Sequence, residues 1–432
     1  MRRRHFLGSA AALAAMGATA LNPVPAAAQN GKRVRIVVAG AGAAGLNMAS
    51  RLSRALDNAQ VILVDAKKEH VFQPGLTLVG AGLWPGGKVI DENARYVPSG
   101  VEWVQQAVAE FNPEANTVVT ADGKSIQYDY LVVATGLKLD FSAIEGMDAS
   151  LVGQKGIGCV YAGPQAAEAT ARAIDTFIET GGTGLFGRPS TEMKCAGAPL
   201  KMTFITDDKA RIKGRREAIN VVYNAHNKTV FSVVPVDAKV KTLFAERNVN
   251  VNFDHVLTGI DADRKAARYK TPEGEVWQDY DFIHVIPPMC APDAVRNSSL
   301  PWQSGVFAAD AWVEADKASL RHPRFPNVFA VGDIAGVPRG KTAASVKWQV
   351  PVVVDHIVAD IAGKTSTAVY NGYTSCPMIT RYGKAMLIEF DYDGKLVPSF
   401  PFIDPLEELW VSWLIDEKAL LGTYRAMLFG RA

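Results

Sequence analysis

Apolar and polar positions alternate along the chain in blocks that specify elements before any chemistry is considered. Val34-Arg35-Ile36-Val37-Val38-Ala39 is a short apolar run ending at Gly40-Ala41-Gly42-Ala43-Ala44-Gly45, and Leu46 to Leu56 then reads as a helix. A second apolar run, Val61 to Val64, ends at Asp65, twenty residues past the last glycine. Strand, glycine turn, helix, strand and acid in this order predict a dinucleotide-binding βαβ unit. Gly40, Gly42 and Gly45, with the small Ala43 and Ala44 between them, let the backbone approach a pyrophosphate. The helix N-terminus offers oriented N–H groups, and Asp65 accepts from a ribose hydroxyl.

Two further apolar runs end in small-residue turns. Tyr130 to Val133 leads into Ala134-Thr135-Gly136, and Asn327 to Val331 leads into Gly332-Asp333. This pairing resembles flavoproteins with two dinucleotide-binding domains, and the resemblance implies FAD, with the Asp333 region at its ribityl chain. The predicted fold is α/β, with two Rossmann-like dinucleotide-binding domains of the disulfide-reductase type and C-terminal amphipathic helices. The expected division is an FAD domain over 31–150 and 290–375, interrupted by a second Rossmann-like domain without an NAD site over 151–289. A membrane-docking region over 376–432 follows. Gly182-Thr183-Gly184-Leu185-Phe186-Gly187 matches G-x-G-x-x-G, but a helical stretch precedes it and Arg188-Pro189 follows. The fingerprint must leave a strand and open a helix, so this segment is expected to be a loop leading into an edge strand.

Composition narrows the classes. A chain of 432 residues with 48% hydrophobic and 21% charged residues is globular and too long for one core. The formal charge of +2 gives no reason to expect nucleic acid, and the Lys209 to Arg216 stretch reads as a solvated helix face. Residues 1–28 read as a cleaved export signal: Arg3-Arg4-His5-Phe6-Leu7 is of twin-arginine type, and Ala26-Ala27-Ala28 offers a cleavage site. That places the mature protein in the periplasm. No internal run of about 18 apolar residues exists to span a membrane. The four cysteines, Cys159, Cys195, Cys290 and Cys376, show no C-x-x-C spacing, and no metal site is expected.

In Lys194-Cys195-Ala196-Gly197-Ala198-Pro199 a thiol stands at a helix start where the second domain of such a flavoprotein carries its nicotinamide glycines. A helix N-terminus favours a thiolate, while a lone cysteine also reads as a buried structural one. A second cysteine lies in Tyr370-Asn371-Gly372-Tyr373-Thr374-Ser375-Cys376-Pro377. K-C-A-G-A-P-x-K (Lys194 to Lys201), H-V-x-P-P-M from His284, G-K-T-A-A from Gly340, the Cys376 stretch and E-F-D-Y from Glu389 occur in this order. Together, from Val34 to the C-terminus, they resemble the sulfide:quinone oxidoreductase family, most nearly the branch that includes the mitochondrial enzyme.

The resemblance implies that Cys195 and Cys376 form a disulfide or sulfur-bridged pair beside the flavin. Two sulfurs are required because sulfide attacks one while the other leaves as a thiolate. The family pattern makes Cys376 the sulfur nearer the flavin and Cys195 the persulfide that passes its outer sulfur to a small thiol or other acceptor. Lys341 falls where the family has a lysine near the flavin pyrimidine, suited to stabilise the reduced, anionic ring. Cys159 falls about where some bacterial members attach FAD covalently, a role that stands open against a plain buried thiol. Cys290 reads as a small buried hydrophobe, and His70 and His284 receive no acid–base role.

The tail suggests where electrons go. Asp404-Pro405-Leu406-Glu407 has the pattern of a capped helix start. Leu406, Leu409, Trp410, Trp413 and Leu414 then form one apolar stripe, and Leu420, Leu421, Tyr424, Met427 and Leu428 a second. Such stripes usually face a core; here they are expected to lie on a membrane surface, so that ubiquinone or menaquinone reaches the flavin from lipid. A homo-oligomer is compatible with the sequence. The rival readings are the flavoprotein subunit of a flavocytochrome c sulfide dehydrogenase, a non-catalytic persulfide-binding flavoprotein, and a type II NADH dehydrogenase, which needs the glycine loop absent at Cys195.

Overall fold

The computed structural model describes residues 33–432. The expected signal over 1–28 lies outside them. In chain order the elements that position the site are β1 (Val34–Ala39), α1 (Ala43–Ala55), β2 (Ala59–Val64), β3 (Glu102–Val104), β4 (Tyr130–Val133), β5 (Ile157–Gly158), α2 (Pro164–Thr180), β6 (Gly182–Gly187), α3 (Ala198–Ile212), β7 (Ile219–Asn224) and β8 (Val249–Asn252). They continue with β9 (Phe282–His284), β10 (Val328–Ala330), α4 (Ala343–Ile361), β11 (Thr374–Arg381), β12 (Lys384–Phe390), α5 (Trp410–Leu414) and α6 (Leu420–Leu428).

Two five-stranded parallel sheets result. The first has the order β10-β4-β1-β2-β3 and the second β5-β9-β6-β7-β8. Strands buried on both faces are near-continuous aliphatic runs, and Ile36, Val37, Val38, Leu131, Val132 and Val133 expose none of their surface. Helix α1 begins at Ala43, inside the glycine turn, and α4 packs on it.

The Gly182–Gly187 expectation is corrected. This segment is neither a loop nor an edge strand but β6, the middle strand of the second sheet. Its glycines answer to packing. A Cβ on Gly184 would lie 2.8 Å from the Phe177 ring, and one on Gly187 would lie 2.5 Å from the Asn224 carbonyl oxygen.

The basic stretch is also less solvated than its composition suggests. Arg211 donates to the fully buried Asp207 at 2.9 Å, and Arg216 binds the same carboxylate. Removing one partner of such a buried pair costs ~3–5 kcal/mol.

The tail departs most from expectation. No helix starts at Asp404; residues 404–409 form turns and an extended segment that bridges to β12, and α5 begins at Trp410. A π-helical turn, Ile415–Ala419, joins α5 to α6. Trp413, Tyr424, Met427 and Leu428 belong to the core, and Ser50 of α1 donates to the Leu428 carbonyl at 2.8 Å. Tyr424, Met427 and Leu428 of the second stripe are therefore packed into the core, with Leu428 against α1, while Leu420 and Leu421 are partly exposed. Phe402, Trp410 and Val411 remain exposed. Among the described residues, no helix is long and apolar enough to cross a membrane.

Candidate active site

The β1–α1 turn is built for close approach. A Cβ on Gly45 would stand 1.7 Å from the Gly40 carbonyl oxygen, so the turn closes only on glycine. Gly42 and Gly136, by contrast, face open space, with nothing within 4 Å of an added Cβ. Between Ala134 and Gly136 the Thr135 hydroxyl is buried without a partner. Asp65 accepts from the Ala41 N–H at 2.7 Å and from the Lys67 N–H at 2.8 Å, leaving a lone pair on each oxygen. A glycine cradle open to one side, an orphaned hydroxyl on its rim and a carboxylate at the end of β2 fit a dinucleotide, as a flavin adenine dinucleotide requires.

At the end of β10 the Gly332 N–H donates to the Gln349 side chain at 2.8 Å, which fixes the turn against α4. Asp333 follows, its carboxyl pushed up by burial against the pull of Lys194 and Lys341. Lys341 is buried, donates through Nζ to the carbonyls of Asp333 at 2.6 Å and Ala335 at 3.0 Å, and lies 3.7 Å above the Trp312 ring. Burial lowers its ammonium pKa to about 8. The lysine thus shapes the turn that carries Asp333.

The same residue reaches the cysteine loop, since the Cys195 N–H donates to the Lys341 carbonyl at 3.1 Å. Cys195 has φ +48°, a left-handed conformation that costs a non-glycine residue ~1–3 kcal/mol. Three bonds hold it there: its own N–H to Lys341, the Tyr161 hydroxyl to its carbonyl at 2.9 Å, and the Ala198 N–H to the same carbonyl at 2.9 Å. Helix α3 starts at Ala198 with Pro199 in its first turn, where a missing N–H costs nothing.

Cys376 arrives from a different part of the chain, on β11. It is buried, Cys195 is partly exposed, and the two thiols are hydrogen-bonded to one another in dithiol form. A Cβ on Gly197 would lie 2.3 Å from Cys376 Sγ. The Cys376 hydrogen bond is the main cause that brings the Cys195 thiol down to about 6, helped by the Lys201 ammonium and the Ala198 N–H and opposed by burial and Asp416. As donor to a thiolate, Cys376 is pushed well above the ordinary thiol range. The pair is thus biased toward a single thiolate, with the negative charge drawn to Cys195.

Three groups here were not singled out from the sequence. Lys201, buried one turn into α3, faces both sulfurs, which raise its pKa. Asp416 comes in from the π-helical turn as a buried carboxyl near Lys201. Tyr161 spans the space between Cys195, Cys376 and Cys159. Lys201 was visible as the last residue of K-C-A-G-A-P-x-K; nothing in the sequence pointed to Asp416.

The remaining candidates lie elsewhere or are inert. Cys159 exposes none of its surface, its N–H donates to the Thr170 hydroxyl at 2.8 Å, and burial raises its thiol to about 11. Cys290 pairs across a short antiparallel bridge with Lys138 and is buried. His70 is a core group bonded to Asn93 at 2.8 Å and to Tyr424 at 2.7 Å. His284 is buried, accepts from the Val160 N–H at 3.4 Å and is lowered to about 3 by burial. Among the described residues no group of acids, histidines and cysteines is placed to hold a metal ion.

Comparison with known proteins identifies the family. Residues 34–348 match the family described as pyridine nucleotide-disulphide oxidoreductase. The mitochondrial sulfide:quinone oxidoreductase of Dictyostelium discoideum is 35% identical over 398 residues, covering 92% of this chain and 86% of that protein. The enzyme of that name from Mus musculus is also 35% identical, covering 87% of this chain and 82% of that protein. The crystal structure of the sulfide:quinone oxidoreductase of Aquifex aeolicus superposes with a TM-score of 0.76 at 19% identity, covering 91% of this chain and 92% of that one.

Proposed function

This chain belongs to the sulfide:quinone oxidoreductase family of the pyridine nucleotide-disulphide oxidoreductases, and on that premise we infer an FAD-dependent enzyme that oxidises sulfide and passes the electrons to quinone. One observation carries the reading: Cys195 and Cys376, from separate elements, share a hydrogen bond, and Cys195 is tied to Lys341. The Gly40 to Gly45 turn, Asp65, the Ala134-Thr135-Gly136 turn and Gly332-Asp333 would hold the FAD. The chemistry FAD supplies when bound is acceptance of an electron pair from the sulfur centre and its delivery to quinone.

The oxidised pair is a Cys195–Cys376 disulfide. Hydrosulfide attacks Cys195, the residue of the pair that is not fully buried, forming a Cys195 persulfide and releasing Cys376 as a thiolate. The Lys201 ammonium beside both sulfurs balances the new negative charge wherever it sits. Burial of Cys376 keeps water and bulk thiols from it. A small thiol or other nucleophile then takes the outer sulfur of the Cys195 persulfide as zero-valent sulfur. The depressed Cys195 pKa favours that step, because a stabilised thiolate is the better leaving group.

FAD is held without a bond to Cys159; the complete burial of that thiol and its rise to about 11 support this. Quinone is met at a membrane surface through the exposed Phe402, Trp410 and Val411. The twin-arginine pattern at Arg3-Arg4 favours export to the periplasm, whereas the Dictyostelium discoideum and Mus musculus relatives are mitochondrial, so cell fractionation decides the compartment. Sulfide-dependent reduction of decylubiquinone by the purified flavoprotein tests the whole reading. Transfer to a cytochrome c but not to the quinone would instead indicate the flavocytochrome subunit.

A further inference from the structure

Four buried side-chain atoms without a partner, Arg188 Nε, Tyr223 Oη, His226 Nδ1 and His284 Nδ1, belong to the carboxyl-terminal ends of three neighbouring parallel strands, β6, β7 and β9. A crevice opens there, lined among others by Phe186, Arg188, Ser190, Asn224, His255 and His284. Arg188 acts electrostatically on both Tyr223 and His226. No carboxylate among the described residues pairs with its guanidinium. Asp254, the acid felt by His226, is engaged by Lys228 at 2.5 Å. Folded chains satisfy nearly all their buried polar groups, and an unpaired, partly buried cation is costly, so the two orphans on the crevice wall, Arg188 Nε and His284 Nδ1, point to a missing ligand.

The position is the one where open α/β sheets bind ligands. A dinucleotide does not suit it. The glycines that would cradle a pyrophosphate lie within β6, and the α3 N-terminus that would receive the phosphate is occupied by the Cys195 loop. What remains is one guanidinium, which matches a carboxylate or oxoanion with two parallel N–H bonds, in a wall of apolar and uncharged polar side chains. The imidazoles of His226 and His284 are neutral near pH 7, lowered by burial to about 4 and about 3. The crevice therefore offers a single fixed positive charge.

We propose that this crevice is a second ligand site, which seats a small oxoanion or carboxylate on the Arg188 guanidinium. Neither cysteine of the sulfur pair lines it, although Tyr161, whose hydroxyl donates to the Cys195 carbonyl, feels the Arg188 charge.

Thermal unfolding of the flavin-loaded protein, followed by flavin release in sodium sulfate, sodium acetate and sodium chloride at matched ionic strength, tests this. Sulfate, acetate or both should raise the wild-type Tm over chloride in a saturable way, as a ligand bound only to the folded state does. The rise should vanish in Arg188→Gln and persist in weaker form in Arg188→Lys. A response to sulfate alone identifies an oxoanion site, and one to acetate alone a carboxylate site. In chloride, Arg188→Gln should be at least as stable as wild type, because it removes an uncompensated charge. No saturable rise with either anion, an equal rise in Arg188→Gln, or a lower Tm of Arg188→Gln in chloride would each overturn the site.

Discussion

The Cys376 thiol donates a hydrogen bond to the Cys195 sulfur, and this contact sets the charge of the reduced pair: Cys195 is brought down to about 6 while Cys376 stays protonated. The contact is made across Gly197, the only kind of residue that fits between the loop and Cys376.

Gly197 tests that closeness without touching either sulfur. Its backbone, φ −85° and ψ −11°, is accessible to any residue, so Gly197→Ala adds only a methyl carbon aimed at Cys376 Sγ. The displaced sulfur should cost ~1–3 kcal/mol of stability by overpacking. Sulfide-driven flavin reduction should slow at least about tenfold, since an ångström of misplacement suffices for such losses. Urea unfolding and anaerobic stopped-flow absorbance measure the two effects; an unaltered reduction rate would show that the pair tolerates separation.

Lys201 is expected to shift the thiolate titration. In the dithiol form the rate of Cys195 alkylation by iodoacetamide should rise with pH through a midpoint near 6. Because the ammonium lowers that midpoint, Lys201→Gln should move it upward, and Asp416→Asn, which removes an opposing charge, should move it downward. Coincident midpoints in the three proteins would remove both groups from the sulfur pocket.

His284 gives a pH signature in stability. Its folded pKa of about 3 lies below its unfolded value of 6.5, so the unfolded chain binds the extra proton as pH falls. The contribution is fully present above pH 6.5 and is lost at ~1.4 kcal/mol per pH unit on the way down toward the folded pKa. Urea midpoints between pH 7 and pH 4 should fall less steeply in His284→Gln than in wild type; equal slopes would mean that the imidazole is not held neutral.

The sequence yields the first domain well because its signals are local: the glycine turn, the apolar strands and Asp65 lie within one βαβ unit. It brings Cys195 and Cys376 forward together because short motifs surround both, and the structure places the two near one another. It fails where a side chain's meaning depends on distant packing. The Gly182–Gly187 glycines look like a turn, yet they are small because Phe177 and Asn224 crowd the strand. The tail's apolar stripe has the right period, but periodicity does not say whether it meets lipid or α1. Asp416 looks like one acid in a charged break between helices and becomes a sulfur-pocket group only through the π-helical turn.

What remains exposed in the tail sets a docking prediction. Phe402→Ser combined with Trp410→Ser should lower co-flotation with liposomes while leaving flavin reduction by sulfide intact. Undiminished flotation would move the membrane contact elsewhere.

Cofactor attachment is read from a denaturing gel. Flavin fluorescence should migrate away from the protein band, in keeping with a thiol at Cys159 that is wholly buried; fluorescence retained on the band, and lost in Cys159→Ala, would establish a thioether.

The most direct test of the central claim mixes sulfide anaerobically with flavin-loaded Cys195→Ser and Cys376→Ser and follows the flavin absorbance. Both variants should retain FAD and bleach with dithionite, yet show no bleaching by sulfide within the time wild type needs to complete it. Wild-type bleaching by sulfide in either variant would contradict the assignment of the electron path to this pair.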